Sequence, residues 1–119
     1  WSAFGNCSNL KSVRLPDSLE TLAGNAFACC GSLERIVIPE GVTNIEQFCF
    51  IECTALKDIV IPKSLKRVGS LAFRQCNSLT DVYYGGSEED WKNIELEASS
   101  WDESILQAQI HYNWKGDPE

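Results

Sequence analysis

AFACCGSLERIVIP, residues 26–39, returns 23 residues later as CFIECTALKDIVIP, residues 49–62, and again as AFRQCNSLTDVYY, residues 72–84. The same step of 23 aligns whole columns of the chain. Leu10, Leu33, Leu56 and Leu79 form one column. Val13, Ile36, Ile59 and Val82 form a second, and Leu15, Ile38, Ile61 and Tyr84 a third. Pro16, Pro39 and Pro62 follow, then Leu22, Ile45, Val68 and Trp91. Phe4, Phe27, Phe50 and Phe73 align, preceded by Ala3, Ala26, Cys49 and Ala72 and followed by Cys7, Cys30, Cys53 and Cys76. The unit reads L-x-x-[IV]-x-[IL]-P-x-x-[LV]-x-x-[LIV]-x-x-x-[AC]-F-x-x-C-x-x.

A unit this short cannot bury its apolar face alone, so neighbouring units must stack into a continuous core. A period of 23 lies in the leucine-rich-repeat range. The expected fold is therefore an α/β leucine-rich-repeat solenoid of 23-residue coils. Within each coil L-x-x-I-x-I alternates apolar and polar residues, which predicts a short strand. Proline ends it, having no N–H to donate, and Pro-Asp-Ser, Pro-Glu-Gly and Pro-Lys-Ser make turns. A second extended piece, such as Val42 to Ile45, crosses the far side. The segment ending in A-F-x-x-C is expected to be a short helical turn. Equivalent strands then form a parallel sheet at about 4.8 Å spacing.

The period breaks after Tyr84, where Gly85-Gly86 replaces proline and no A-F-x-x-C follows. Ser87 to Ile94 reads as a helix with Ser87 as N-cap and acids in its first turn. Ser100 and Glu103 match a capping box opening Trp101 to Leu106. Gln109 to Asn113 alternates like a last strand. The reading is repeats over 1–84 (the first partial), a helix-helix-strand C-terminal cap over 85–113, and a loose tail over 114–119. Trp91, Ile94, Leu106, Ile110 and Tyr112 are expected to close the stack. The chain starts at Trp1 inside a unit and contains no methionine, so it is expected to be a fragment of a longer protein. Its open N-terminal edge, around Trp1 and Phe4, could pair with another molecule.

Composition excludes several classes. With 44% hydrophobic residues the 119-residue chain is a folded domain, and its net charge of −7 argues against nucleic acid or an anionic membrane as partner. No apolar run approaches the roughly 20 residues that span a bilayer, and no signal or lipidation motif is visible.

The columns resemble the BspA-type leucine-rich repeat family, whose unit carries I-P, V-x-x-I and A-F-x-x-C-x-x-L. The resemblance runs from Ala3 to Tyr84, and VYYGGSEEDWKNI (82–94) with AQIHYN (108–113) resembles the C-terminal cap of that family. Ala23 and Glu46 stand where Gly69 keeps the family's glycine, and Cys49 stands where alanine is usual. The resemblance implies an extracellular or cell-surface bacterial protein, a protein ligand (such as a host extracellular protein), and no catalytic residues.

The six cysteines allow disulfides, metal ligation, redox chemistry or packing. A column with one cysteine per coil spaces Cβ atoms near 4.8 Å, beyond the roughly 3.5–4.5 Å a disulfide takes. A linear stack also does not converge on a metal as four zinc ligands must. Cys7, Cys30, Cys53 and Cys76 therefore read as a structural ladder of buried thiols donating weakly to backbone. Cys49 falls in a small buried slot. Cys29 points outward and is the candidate reactive thiol, but nothing nearby would lower its pKa. His111, the one histidine, reads as a packed or surface residue. Glu88-Glu89-Asp90 reads as helix-start charge, Gly85-Gly86 as a turn, and the sequon Asn6-Cys7-Ser8 as coincidence. No cofactor or metal is expected.

The outward side of the strands is the candidate binding surface. With Val13 and Leu15 inward, Arg14, Val37, Val60 and Tyr83 line one outward column, and Ser12, Arg35, Asp58 and Asp81 the next. β-Propensity alone could place valine and tyrosine there. The functional alternative is a binding strip made by Arg14, Arg35, Val37, Asp58, Val60, Asp81 and Tyr83, with Tyr83 as anchor; the structural alternative for the charges is that Arg35 and Asp58 simply pair across adjacent strands. A spacer or end-cap role is the second reading, and a thiol redox or metal protein the third.

Overall fold

The computed structural model describes residues 12–15, 17–22, 24, 27–70, 72–96 and 108–115. Cys7, the Trp101 to Leu106 helix, Leu106, the Asn6-Cys7-Ser8 sequon and the N-terminal edge lie outside the described residues.

Each L-x-x-I-x-I segment forms a strand. These are β1 (Ser12–Arg14), β3 (Arg35–Val37), β5 (Asp58–Ile61) and β7 (Asp81–Tyr84). Alternation turns Ile36, Ile59, Ile61, Val82 and Tyr84 into the core at 1% exposure or less, while Arg35, Val37, Asp58, Val60, Asp81 and Tyr83 lie half-buried on the other face. Pairing is parallel and in step with the repeat: Val37 meets Val60, and Val60 meets Tyr83. After Pro39 and Pro62 a tight turn reverses the chain, with Val42 N–H donating to Pro39 O at 3.3 Å and Leu65 N–H to Pro62 O at 3.2 Å.

The far-side segments are themselves strands: β2 (Thr21–Leu22), β4 (Asn44–Ile45) and β6 (Arg67–Val68). They build a second parallel sheet, with Leu22, Ile45 and Val68 facing the same core.

The A-F-x-x-C segments differ from expectation. Among the described residues their internal bonds run i→i−3, such as Cys30 N–H to Phe27 O at 3.3 Å and Cys53 N–H to Phe50 O at 3.3 Å. Other amides donate across to the next repeat: Phe27 to Cys49 O, Cys29 to Ile51 O, Phe48 to Ser70 O, Phe50 to Ala72 O and Glu52 to Arg74 O, at 2.7 to 3.1 Å. These groups are thus unavailable to a helix, and a segment this short could not pay the nucleation cost alone. Cys29, Glu52 and Gln75, one per repeat, take φ of 60, 59 and 63° and end each turn in the left-handed region. The fold is therefore built on β-pairing more than the α/β expectation held, and its only helix among the described residues is α1 (Glu88–Lys92).

Helix α1 obeys the sequence signal. Asp90 N–H donates to Ser87 Oγ at 3.1 Å and Ser87 N–H to an Asp90 carboxylate oxygen at 3.0 Å, a reciprocal capping box. Its insertion lengthens the last unit. β8 (Glu95–Leu96) joins the second sheet and β9 (Gln109–His111) the first, each pairing 28 residues after its partner: Arg67 with Glu95, Asp81 with Gln109. Hence Leu96, not Trp91, succeeds Val68 in the pairing. Trp91 instead meets the Tyr84 ring edge-on at 5.0 Å. Ile94 is buried, and Trp91, Ile110 and Tyr112 pack partly buried against the core. The tail expectation fails at Trp114: its N–H donates to Tyr84 O at 2.8 Å and its ring packs on Tyr83 at 4.5 Å.

Candidate functional site

Strand register assembles most of the expected strip. Val37, Val60, Tyr83 and His111 form one continuous line, and Arg35, Asp58, Asp81 and Gln109 the next. Arg35 and Asp58 lie side by side. Arg14 is in register with Val37, but its side chain lies outside the described residues.

Beyond Tyr83 the strip has an ending that the 23-residue period could not show. His111 stacks on Tyr83 with centroids 4.6 Å apart and an interplanar angle of 12°. Its Nε2 is 2.9 Å from an Asp81 carboxylate oxygen, whose other oxygen accepts from Thr80 Oγ1 at 2.9 Å. Sequence reasoning left His111 as a packed or surface residue; its alternation with Ile110 in Gln109-Ile110-His111 is the signal that points it to this face, and no periodic signal marks Trp114. Burial, then the Asp81 and Asp58 carboxylates, pushes the Tyr83 phenol up, so it stays neutral at physiological pH.

The hydrogen bond to His111, and after it that from Thr80, holds the Asp81 carboxyl below its usual range. A depressed carboxylate pKa contributes stability above its unfolded value of about 4, and that stability is lost as pH falls through the folded value. Wild type should therefore lose more stability than Asp81→Asn as pH falls below about 4, by less than about 1 kcal/mol, in urea melts at each pH.

A groove of about 400 Å³ opens beside this ending. Val37, Val60, Pro39 and Pro62 line it with Glu40, and Trp114 and Lys115 also border it. Gly85 continues the Pro39–Pro62 column without a ring, and a Cβ there would come within 3.6 Å of Glu40 Oε2. Trp114 Nε1 is sealed from solvent and has no hydrogen-bond partner among the described residues, an arrangement that costs about 1–3 kcal/mol.

None of the five described cysteines is in a disulfide. Cys53 Sγ donates to Phe27 O at 3.0 Å and Cys76 Sγ to Phe50 O at 3.2 Å, so each thiol ties its repeat to the one before. Burial, reinforced by Cys76, pushes the Cys53 thiol far above its ordinary value. Cys49 is fully buried. Half-exposed Cys29 lies 3.6 Å from Glu52 Oε1, and burial followed by that carboxylate raises its pKa. In native thiol titration Cys29 should react slowly, while Cys30, Cys49, Cys53 and Cys76 stay silent until the protein is unfolded. Rapid native reaction at any of those four would overturn the ladder.

Among the described residues no group of three or more His, Cys, Asp or Glu side chains could hold a metal ion. No described helix is long and apolar enough to cross a membrane.

Parallel strands recurring in two sheets, with a leucine, isoleucine and phenylalanine core between them, define a leucine-rich-repeat protein. The BspA-type leucine-rich repeat region matches residues 1–100 in six copies, and the chain belongs to that family. The match runs past Tyr84, as does the sheet pairing. A leucine-rich cell surface protein from Faecalibacterium prausnitzii A2-165 is similar at 36% identity and TM-score 0.77, over 79% of this chain and 25% of that one. A leucine-rich repeat protein from Bacteroides ovatus ATCC 8483 shares the fold at 24% identity and TM-score 0.67, over 95% of this chain and 34% of that one. The chain thus spans a quarter to a third of the length of these solved relatives. No curated protein matches it.

Proposed function

We propose that the chain is a non-catalytic protein-binding module of a bacterial cell-surface or secreted protein, serving adhesion or host contact through its strand face. In this reading residues 1–84 wind as a solenoid, and the unit over 85–113 closes its end, with Trp114 packed back on Tyr83. The family and the cell-surface relative support the surface assignment. The observation that carries the binding reading is the half-buried line Val37–Val60–Tyr83, flanked by Arg35, Asp58 and Asp81 and bordered by an open groove. An apolar line beside charges, with an aromatic at its end, suits a protein ligand.

The test is surface plasmon resonance over immobilised purified extracellular matrix and mucosal proteins. Val60→Asp should weaken binding to a captured protein at least tenfold while leaving the thermal midpoint within a few degrees. Equal binding by wild type and variant would remove the strand face as the interface. One observation favours a second reading, a spacer and end unit: Tyr83 already packs against His111 and Trp114. In that case no protein of the panel binds.

A further inference from the structure

We infer that the groove beside Trp114 takes a proline-rich peptide segment in the polyproline II conformation, with a basic residue at its flank. The inference rests on the strand-face reading and names the ligand class.

Backbone pairing comes first. β3, β5 and β7 are interior strands of the order β1-β3-β5-β7-β9. Their edges are occupied, so the groove floor cannot hold a ligand as an added strand. Recognition there must go through side chains, which suits a polyproline II segment, whose backbone makes no internal hydrogen bonds and needs no partner strand. The lining has the matching chemistry. Val37, Val60, Pro39 and Pro62 are apolar ridges, and Trp114 supplies an aromatic wall. Its indole N–H, sealed from solvent, has no hydrogen-bond partner among the described residues, and a peptide carbonyl is the acceptor that it would meet on a small shift of the ring. The spacing also agrees. Pro39, Pro62 and Gly85 stand on successive repeats, so the column spans about 9.6 Å at about 4.8 Å per strand. One polyproline II turn rises about 9.3 Å, so ligand contacts recur in step with every second repeat.

Charge selects the flank. Glu40 is exposed at the groove and the chain carries net charge −7, which favours an arginine or lysine beside the proline run. Lys115 borders the groove as well and disfavours a ligand basic along its whole length.

Isothermal titration calorimetry with synthetic peptides tests this. The probes are decaproline, decaproline with one terminal arginine, and a glycine-serine decamer with the same arginine; a soluble glucan oligosaccharide is the competing ligand class. Decaproline-arginine should bind saturably, and Trp114→Ala should weaken it at least tenfold. Because Trp114 also packs on Tyr83, Glu40→Lys provides a variant at an exposed position. It should weaken decaproline-arginine at least threefold and leave unmodified decaproline unchanged. No peptide binding, equal binding of the glycine-serine peptide, or binding of the oligosaccharide alone overturns the inference. If panel proteins still bind in a Val60-dependent way, the strand-face reading survives that loss.

Discussion

Phe50→Ala should remove about 3–5 kcal/mol of folding stability, the largest effect expected from one side chain here. Phe50 is fully buried between the rings of Phe27 and Phe73, at centroid distances of 5.4 and 5.3 Å and interplanar angles of 2 and 11°. Truncation leaves a cavity lined by two rings that are held to their own repeats and cannot both move in to fill it. The backbone of Phe50 is fixed from both sides. Its N–H donates to Ala72 O at 2.8 Å, and its carbonyl accepts the Cys76 thiol. These bonds keep alanine in place over the void, so relaxation recovers little. Phe50→Leu keeps most of the volume and loses the stacking, and should cost less than about 1.5 kcal/mol. Urea unfolding of the three proteins measures both. A domain of this size has about 5–15 kcal/mol in total, so Phe50→Ala should unfold the chain at markedly lower urea. A Phe50→Ala cost below about 1 kcal/mol would mean that the phenylalanine column is not the packed spine described here.

Gly69→Ala should cost about 2–3 kcal/mol, near the upper range of overpacking. A Cβ at residue 69 would sit 2.5 Å from Gln47 N, 2.8 Å from Glu46 C and 2.9 Å from Gln47 Cα. All three are backbone atoms, so no rotamer change relieves the contact. The backbone itself must shift, and Gly69 N–H is bonded to Ile45 O at 2.7 Å. Ala23 and Glu46 stand in the same column, so the requirement is one of local approach and not of the repeat as such. Gly31→Ala is the control: its Cβ would meet only Thr54 Oγ1, at 3.9 Å, and stability should change by less than about 0.5 kcal/mol. Thermal or urea melts compare the pair. Equal effects at the two positions would show that helix and strand propensity, and not the close approach, sets the cost.

The columns were legible because the repeat has one solution. If equivalent residues of successive units pack on each other, a step of 23 fixes strand register, the direction of the sheets and the buried set together. Ile36, Ile59 and Val82 face the core for that reason, as do Cys30, Cys53 and Cys76. The Ser87–Asp90 capping box was legible because it is local, needing only four residues.

The A-F-x-x-C turns were misread because their amides have two competing sets of acceptors. Composition suggested a helical turn, whereas stacking supplied carbonyls on the neighbouring repeat, and those won. The ending was invisible for a related reason. The last unit is 28 residues long, so Leu96 and His111 occupy repeat positions that a period of 23 assigns elsewhere.

By itself, then, the sequence determined the repeat, its register, the thiol and phenylalanine ladders and the outward line from Val37 to Tyr83. Each of these follows from every unit meeting a copy of itself. Tertiary structure alone decided that β8 and β9 continue both sheets, that His111 pairs with Asp81, and that Trp114 packs on Tyr83 beside the groove. Those contacts join segments unlike each other, and only the packed chain determines which aromatic covers which strand.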